Sequence, residues 1–225
     1  MHVVITGGTG GLGASVVAAL LERGADVHLP MFEPELPTHL AWRGDPRVHA
    51  QQMSLDDEAA VVAFYGALPA LWASIHLVGG FAMAPIAETS LADLEKQWRI
   101  NTVTCFLGCR EAVKAIRKSG QGGRIVNVAA RPALQPAGGM VAYAASKAAV
   151  ASITQCLAAE LAGDNILVNA VVPSIIDTPA NRKSMPNADH ATWPTPAQIA
   201  ETIVFLASIH NALTSGTLVP VYGRA

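Results

Sequence analysis

Thr6-Gly7-Gly8-Thr9-Gly10-Gly11-Leu12-Gly13 stands between an apolar run, residues 2–6, and an amphipathic stretch over 12–23 that Gly24 closes. The run predicts a strand, the stretch a helix, and residues 26–29 a second strand, so this is a βαβ unit with glycines crowded into its first turn. Glycines there permit a tight turn and let backbone N–H groups and the helix N-terminus approach a pyrophosphate that side chains would hold off. An ordinary glycine turn is the alternative. The position after a strand and before a helix favours dinucleotide binding.

Beyond this unit, apolar runs and amphipathic stretches alternate without repeats. Strands are predicted over 48–52, 75–78, 124–128, 166–172 and 217–221. Helices are predicted after Ser54, where Ser54-Leu55-Asp56-Asp57 reads as a cap, then over 91–118, over 141–161, and after Thr195-Pro196-Ala197-Gln198. Parallel strands need such intervening helices, which predicts an α/β fold: a three-layer, doubly wound, Rossmann-type parallel sheet with ligands at the carboxyl ends of its strands. With 225 residues, one domain over 1–225 is expected.

Hydrophobic residues make up 51% of the chain and charged residues 14%, which excludes a disordered chain. A net charge of −2 and no Lys/Arg run longer than Arg182-Lys183 argue against nucleic acid or an anionic membrane as partner and for a small-molecule substrate. Residues 59–87 hold no Asp, Glu, Lys or Arg, but Pro69, Pro85 and Gly79-Gly80 interrupt them, so no bilayer span is expected. The start, MHVVITGG, has no leader pattern, and a cytoplasmic setting is expected. Cys105, Cys109 and Cys156 form no CxxC and have no neighbouring His at metal-ligand spacing. They are read as small buried thiols, with Cys105 and Cys109 on one helix face.

Tyr143-Ala144-Ala145-Ser146-Lys147 places a phenol and an amine i, i+4, so both lean from one face of the helix over 141–161. A neighbouring ammonium favours phenolate, so Lys147 is expected to bring Tyr143 toward working pH. Tyr143 could then give a proton to a substrate oxygen or nitrogen as hydride arrives. A packed tyrosine and a snorkelling lysine are the alternative.

Thr6, Gly7, Gly11 and Gly13 fit the pattern TGxxxGxG, and Tyr143-x-x-x-Lys147 follows the fifth strand. On these motifs the chain resembles the short-chain dehydrogenase/reductase family over nearly its whole length. The resemblance implies NAD or NADP as cofactor, a sheet of about seven strands, and a homodimer or homotetramer. It implies catalytic roles for Tyr143, Lys147 and Asn101, the last holding a water that links the lysine to solvent. For the cofactor it implies Gly7, Thr9, Gly10, Gly11, Leu12 and Gly13 in the turn, and Phe32, Ser54 and Leu55 at the adenosine. Val78, Gly79, Gly80, Tyr143, Lys147, Pro173, Ser174, Ile176 and Thr178 would serve the nicotinamide side.

Four departures matter. Thirteen residues before Tyr143, where the family has a serine that polarises a carbonyl, the chain has Ala130. Met31 stands where an NAD-preferring member carries an acid, no arginine follows it, and Gly10 is not basic, so the choice between NAD and NADP stays open. Ser54 takes the place of an adenine-contacting Asp and could equally cap a helix. His76-Leu77-Val78-Gly79-Gly80 keeps only the glycine of Asn-Asn-Ala-Gly, and His76 reads as a strand residue rather than a catalyst.

Residues 177–186, with Ala188-Asp189 and Trp193, resemble the dihydropteridine reductases, which also keep Tyr-x-x-x-Lys and lack the serine. This implies an activated conjugated substrate such as a quinonoid dihydropterin, under a small lobe near 178–195 that bears Arg182 and Lys183. A carbonyl reductase, of ketones or 3-oxoacyl groups, and a catalytically silent dinucleotide-binding module are the alternatives.

Overall fold

The computed structural model describes residues 1–225. The first unit is β1 (His2–Thr6), α1 (Gly11–Glu22) and β2 (Asp26–Met31), followed by β3 (Val48–Gln52) and α2 (Glu58–Ala67). After β4 (Ala73–His76) come α3 (Leu91–Gln97), a π-helical turn (Trp98–Val103) and α4 (Thr104–Arg117). Then follow β5 (Gly123–Val128), α5 (Arg131–Leu134), α6 (Val141–Glu160) and β6 (Ile166–Pro173). The chain ends with α7 (Pro179–Ser184), α8 (Pro196–Ala207) and β7 (Leu218–Val221).

All seven strands are parallel, in the order β3-β2-β1-β4-β5-β6-β7. Because every crossover except β2–β3 carries a helix, the sheet is covered on both faces, which explains strands as apolar as Ile166-Leu167-Val168. On one face α1 and α8 pack with Val3, Ile5, Val27 and Ile75; on the other α2, α4 and α6 pack with Val4, Ile125, Val168 and Val172. The strand order reverses between β1 and β4, so a crevice opens at their carboxyl ends, where the glycine turn and Gly79 lie.

The seven-stranded doubly wound sheet is as expected, and the differences are local. The helix after Ser54 starts later, with Asp57 as its cap accepting from Ala59 and Ala60 N–H. Ser54 instead donates to Asp56 Oδ1 at 2.5 Å. The helix predicted over 91–118 contains the π turn, with Asn101 inside it. Cys105 and Cys109 are buried, but Cys156 is exposed, because its position on α6 faces away from the core. No helix is long and apolar enough to cross a membrane.

Candidate active site

The turn between β1 and α1 is shaped by backbone. Gly7 adopts φ +71°, and a Cβ on it would come within 3.0 Å of Val78 N. A Cβ on Gly13 would overlap Gly7 O outright. Gly10 caps α1 without a side-chain hydrogen bond, so no side chain occupies the first-turn N–H groups that an anion would use. A cleft of about 710 Å³ runs from this turn past β2 and β3 to α3. It gathers Gly7, Thr9, Gly10, Phe32, Ser54, Leu55, Val78 and Gly79. A backbone cradle at a helix N-terminus, opening into a cleft of dinucleotide size, fits NAD(P).

The remaining expected cofactor residues lie outside that cleft. Leu12 packs on the α1/α8 core, and Gly13 lets α1 close on the turn. A Cβ on Gly11 would meet Thr178 Cγ2 at 3.1 Å, which brings the loop after β6 to the glycine turn. Thr178 also caps α7. Pro173 ends β6, Ser174 Oγ donates to Tyr222 O at 2.8 Å, and Ile176 packs on the core while its carbonyl accepts from Asn181. Gly80 packs against Ile100.

Asn101 is 1% exposed and acts as a clamp. Its Oδ1 accepts from Gly80 N at 3.1 Å, and its Nδ2 faces Gly80 O at 3.0 Å, Ser146 Oγ at 3.1 Å and Gln97 Oε1 at 3.2 Å. An Asn is a poor helix-interior residue unless its amide is used. Here the π turn, a feature frequent at functional sites, aims that amide inward. Ser146, inside the Tyr-x-x-x-Lys stretch, donates to Tyr143 O, and Thr102 donates to Ser146 O. Gln97, Thr102 and Ser146 therefore register α6 against the turn after β4. Sequence reasoning did not single them out; the one available signal was a serine directly before Lys147.

Lys147 is 5% exposed, and its Nζ donates to Val128 O at 2.9 Å. A Cβ on Gly79 would lie 2.9 Å from that Nζ and 2.7 Å from Asn101 Oδ1, so only glycine leaves the approach to both groups open. Burial pulls Lys147 down to about 8 and pushes Tyr143 up to about 12. The expected acidic phenol is thus not found in the free protein: desolvation of the phenolate raises the phenol instead. Tyr143 is held as the neutral acid.

The Tyr143 ring meets Phe81 edge-on, centroids 4.9 Å apart. Phe81, Met83, Leu134 and Val141 are exposed apolar side chains around the start of α6. Ala130 is buried, extended, and caps α5 with no side-chain hydrogen bond. In the segment beyond β6, Arg182 is paired with Asp177 by two hydrogen bonds rather than left free. His76 is a buried strand residue, as expected.

A further acid, Glu33, was not singled out. It lines the cleft two residues beyond Met31 and accepts from Thr9 Oγ1 at 3.2 Å. Its place just past the end of β2 was the available signal.

Comparison with known proteins agrees with this fold. The family model described as short chain dehydrogenase matches residues 1–189. Cyclopentanol dehydrogenase of Comamonas sp. (strain NCIMB 9872) is 30% identical over 238 residues, covering 98% of this chain and 95% of that protein. D-threitol dehydrogenase of Mycolicibacterium smegmatis is 32% identical over 229 residues, covering 95% of this chain and 88% of that protein. Among solved structures, levodione reductase superposes with a TM-score of 0.89 at 26% identity, covering 99% of this chain and 96% of its own. ElxO with NADP bound superposes at 0.90 with 24% identity, covering 99% and 97%, a likeness of fold.

Proposed function

The chain belongs to the short-chain dehydrogenase family and is an NAD(P)-dependent oxidoreductase, and on that premise we propose that it transfers hydride to an activated conjugated substrate of the quinonoid dihydropterin kind. The observation carrying this reading is Ala130. Loss of a preorganised donor to a developing oxyanion costs about 3–4 kcal/mol in other enzymes, a severe handicap for an unactivated ketone. A conjugated, electron-poor C=N system needs less polarisation. The apolar rim of Phe81 and Met83 around Tyr143 also suits a flat ring.

When bound, the reduced dinucleotide supplies the hydride. Tyr143, neutral up to about pH 12, donates the proton to the substrate heteroatom. Lys147 then offers its ammonium to the phenolate left behind, and Asn101 holds the Gly79–Gly80 turn beside it. The segment over 178–195, carrying α7, covers the substrate. Cofactor preference is for NADH: Glu33, Asp56 and Glu95 oppose Lys96 and Arg99 in the cleft, and Glu33 is the charge tied to the glycine turn. The three free cysteines suit a reducing, cytoplasmic setting, and a homodimer or homotetramer is the proposed assembly.

The relatives' names, cyclopentanol and D-threitol dehydrogenase, favour a second reading as a carbonyl or alcohol enzyme. A panel of quinonoid dihydropterin, cyclopentanone and other ketones with NADH and NADPH separates the two. Fast oxidation of NADH with the pterin and slow ketone turnover is the expected result; the reverse pattern refutes it. Ala130→Ser should leave the pterin rate nearly unchanged, whereas a large gain in ketone turnover would favour the second reading.

A further inference from the structure

A second group of chemically active side chains lies in the core, separate from Tyr143. His76 at the end of β4 meets Cys105 and Cys109 from α4, all three buried, with their donor atoms within 4.8 Å of one another. The Cys105 and Cys109 sulfurs are 4.0 Å apart, and Cys109 Sγ is 3.4 Å from His76 Nδ1. Tetrahedral zinc, with Zn–S near ~2.3 Å and Zn–N near ~2.0 Å, sets donor edges of about 3.5–3.8 Å, close to both separations. Gly108 permits this approach, since a Cβ there would lie 2.9 Å from His76 Nε2.

We propose that His76, Cys105 and Cys109 form a buried site for a thiophilic divalent cation of the zinc class, with Asn127 Oδ1 as the fourth donor. Asn127 Oδ1 is 2.8 Å from His76 Nδ1 and 3.4 Å from Cys109 Sγ, and its amide nitrogen is anchored on Thr154 Oγ1. Ligation through Nδ1 requires the Nε2–H tautomer. Its acceptor is in place: Ser74 Oγ lies 2.9 Å from Nε2 and is itself bonded to Tyr65 OH. Such an outer partner is the usual way a ligating histidine is oriented.

Binding replaces the two thiol protons, released to solvent, by one dication, so the two thiolates and the ion sum to zero charge in an apolar interior. Soft sulfur donors with imidazole select zinc over magnesium or calcium. With every donor buried, the ion enters as the chain folds and then ties α4 to β4 and β5, three residues before Gly79.

The test is to refold the full chain with Co(II) as a spectroscopic probe and to measure metal per chain after desalting. One Co(II) per chain is expected, with thiolate charge-transfer and tetrahedral ligand-field bands that Zn(II) abolishes. Cys105→Ser and Cys109→Ser should each lose at least about tenfold in affinity, while Cys156→Ser keeps wild-type binding. If a serine variant fails to refold by circular dichroism, Cys109→Ala and His76→Gln replace it. Absence of stoichiometric metal, or binding that survives both core substitutions and disappears in Cys156→Ser, overturns the proposal. Hydride transfer is not read out, so this result is independent of the substrate assignment.

Discussion

The glycine turn and the Tyr143–Lys147 helix both approach the Val78–Gly79 turn but are built on opposite principles. The turn is made of main chain: what matters at Gly7 and Gly13 is the absence of a Cβ. The helix side is made of buried side chains, Asn101, Ser146 and Lys147, each held by named partners. A site of the first kind tolerates changes of side-chain identity around it and fails when atoms are added. A site of the second kind fails when atoms are removed.

The sharpest way to break that contrast is Gly13→Ala. The added methyl would strike Gly7 O and sit 2.7 Å from Gly8 Cα, both backbone and unable to swing aside. NADH binding should fall below detection in a fluorescence titration, with at least about 1–3 kcal/mol of stability lost in denaturant melts. Binding within a few-fold of wild type would show that the cradle is softer than argued.

Tyr143→Phe tests the other side, because it removes one oxygen and keeps the ring against Phe81. The expected loss in kcat is about 10²–10⁴, with the Kd for NADH nearly unchanged. Unaltered turnover would eliminate Tyr143 as the proton donor.

The pH dependence comes next in size. Lys147, at about 8, is charged below that pH and neutral above it, whereas Tyr143 stays protonated to about 12. The reductive kcat should therefore fall above pH 8, by about tenfold per unit for a single ionisation, as the cation that stabilises the phenolate is lost. Lys147→Arg, which keeps its charge, should flatten that limb in any activity it retains. A flat wild-type profile from pH 7 to about 9.5 would contradict the assignment.

The smallest effect is expected at Glu33→Gln. Removing one carboxylate beside Thr9 should raise the ratio of kcat/KM for NADPH over NADH by about three- to fivefold, the scale of an exposed charge pair. No change in the ratio would place cofactor choice elsewhere, with Lys96 and Arg99 the next groups to test.

The alternation of strands and helices, the glycine turn and the Tyr143–Lys147 spacing could be read from local pattern, because a period of two, a period of 3.6 and an i, i+4 pair are properties of short segments. One misreading arose where two neighbouring residues could do the same job. Ser54 and Asp57 are both good caps, and only the observed start of α2 chooses Asp57. Cys156 carries a residue type that is usually buried, yet its helix turns it outward.

By itself the sequence determined the parallel doubly wound sheet, the dinucleotide cradle and the absence of a serine at Ala130, since each is a matter of residue type at a spacing. Only the tertiary structure decided the burial that shifts Tyr143 up and Lys147 down and the meeting of His76 with Cys105 and Cys109, residues 29 and 33 positions away. The physical reason is the same for both. Desolvation and donor geometry depend on what packs from other elements, and a strand and a helix far apart in the chain become neighbours only when the sheet is covered.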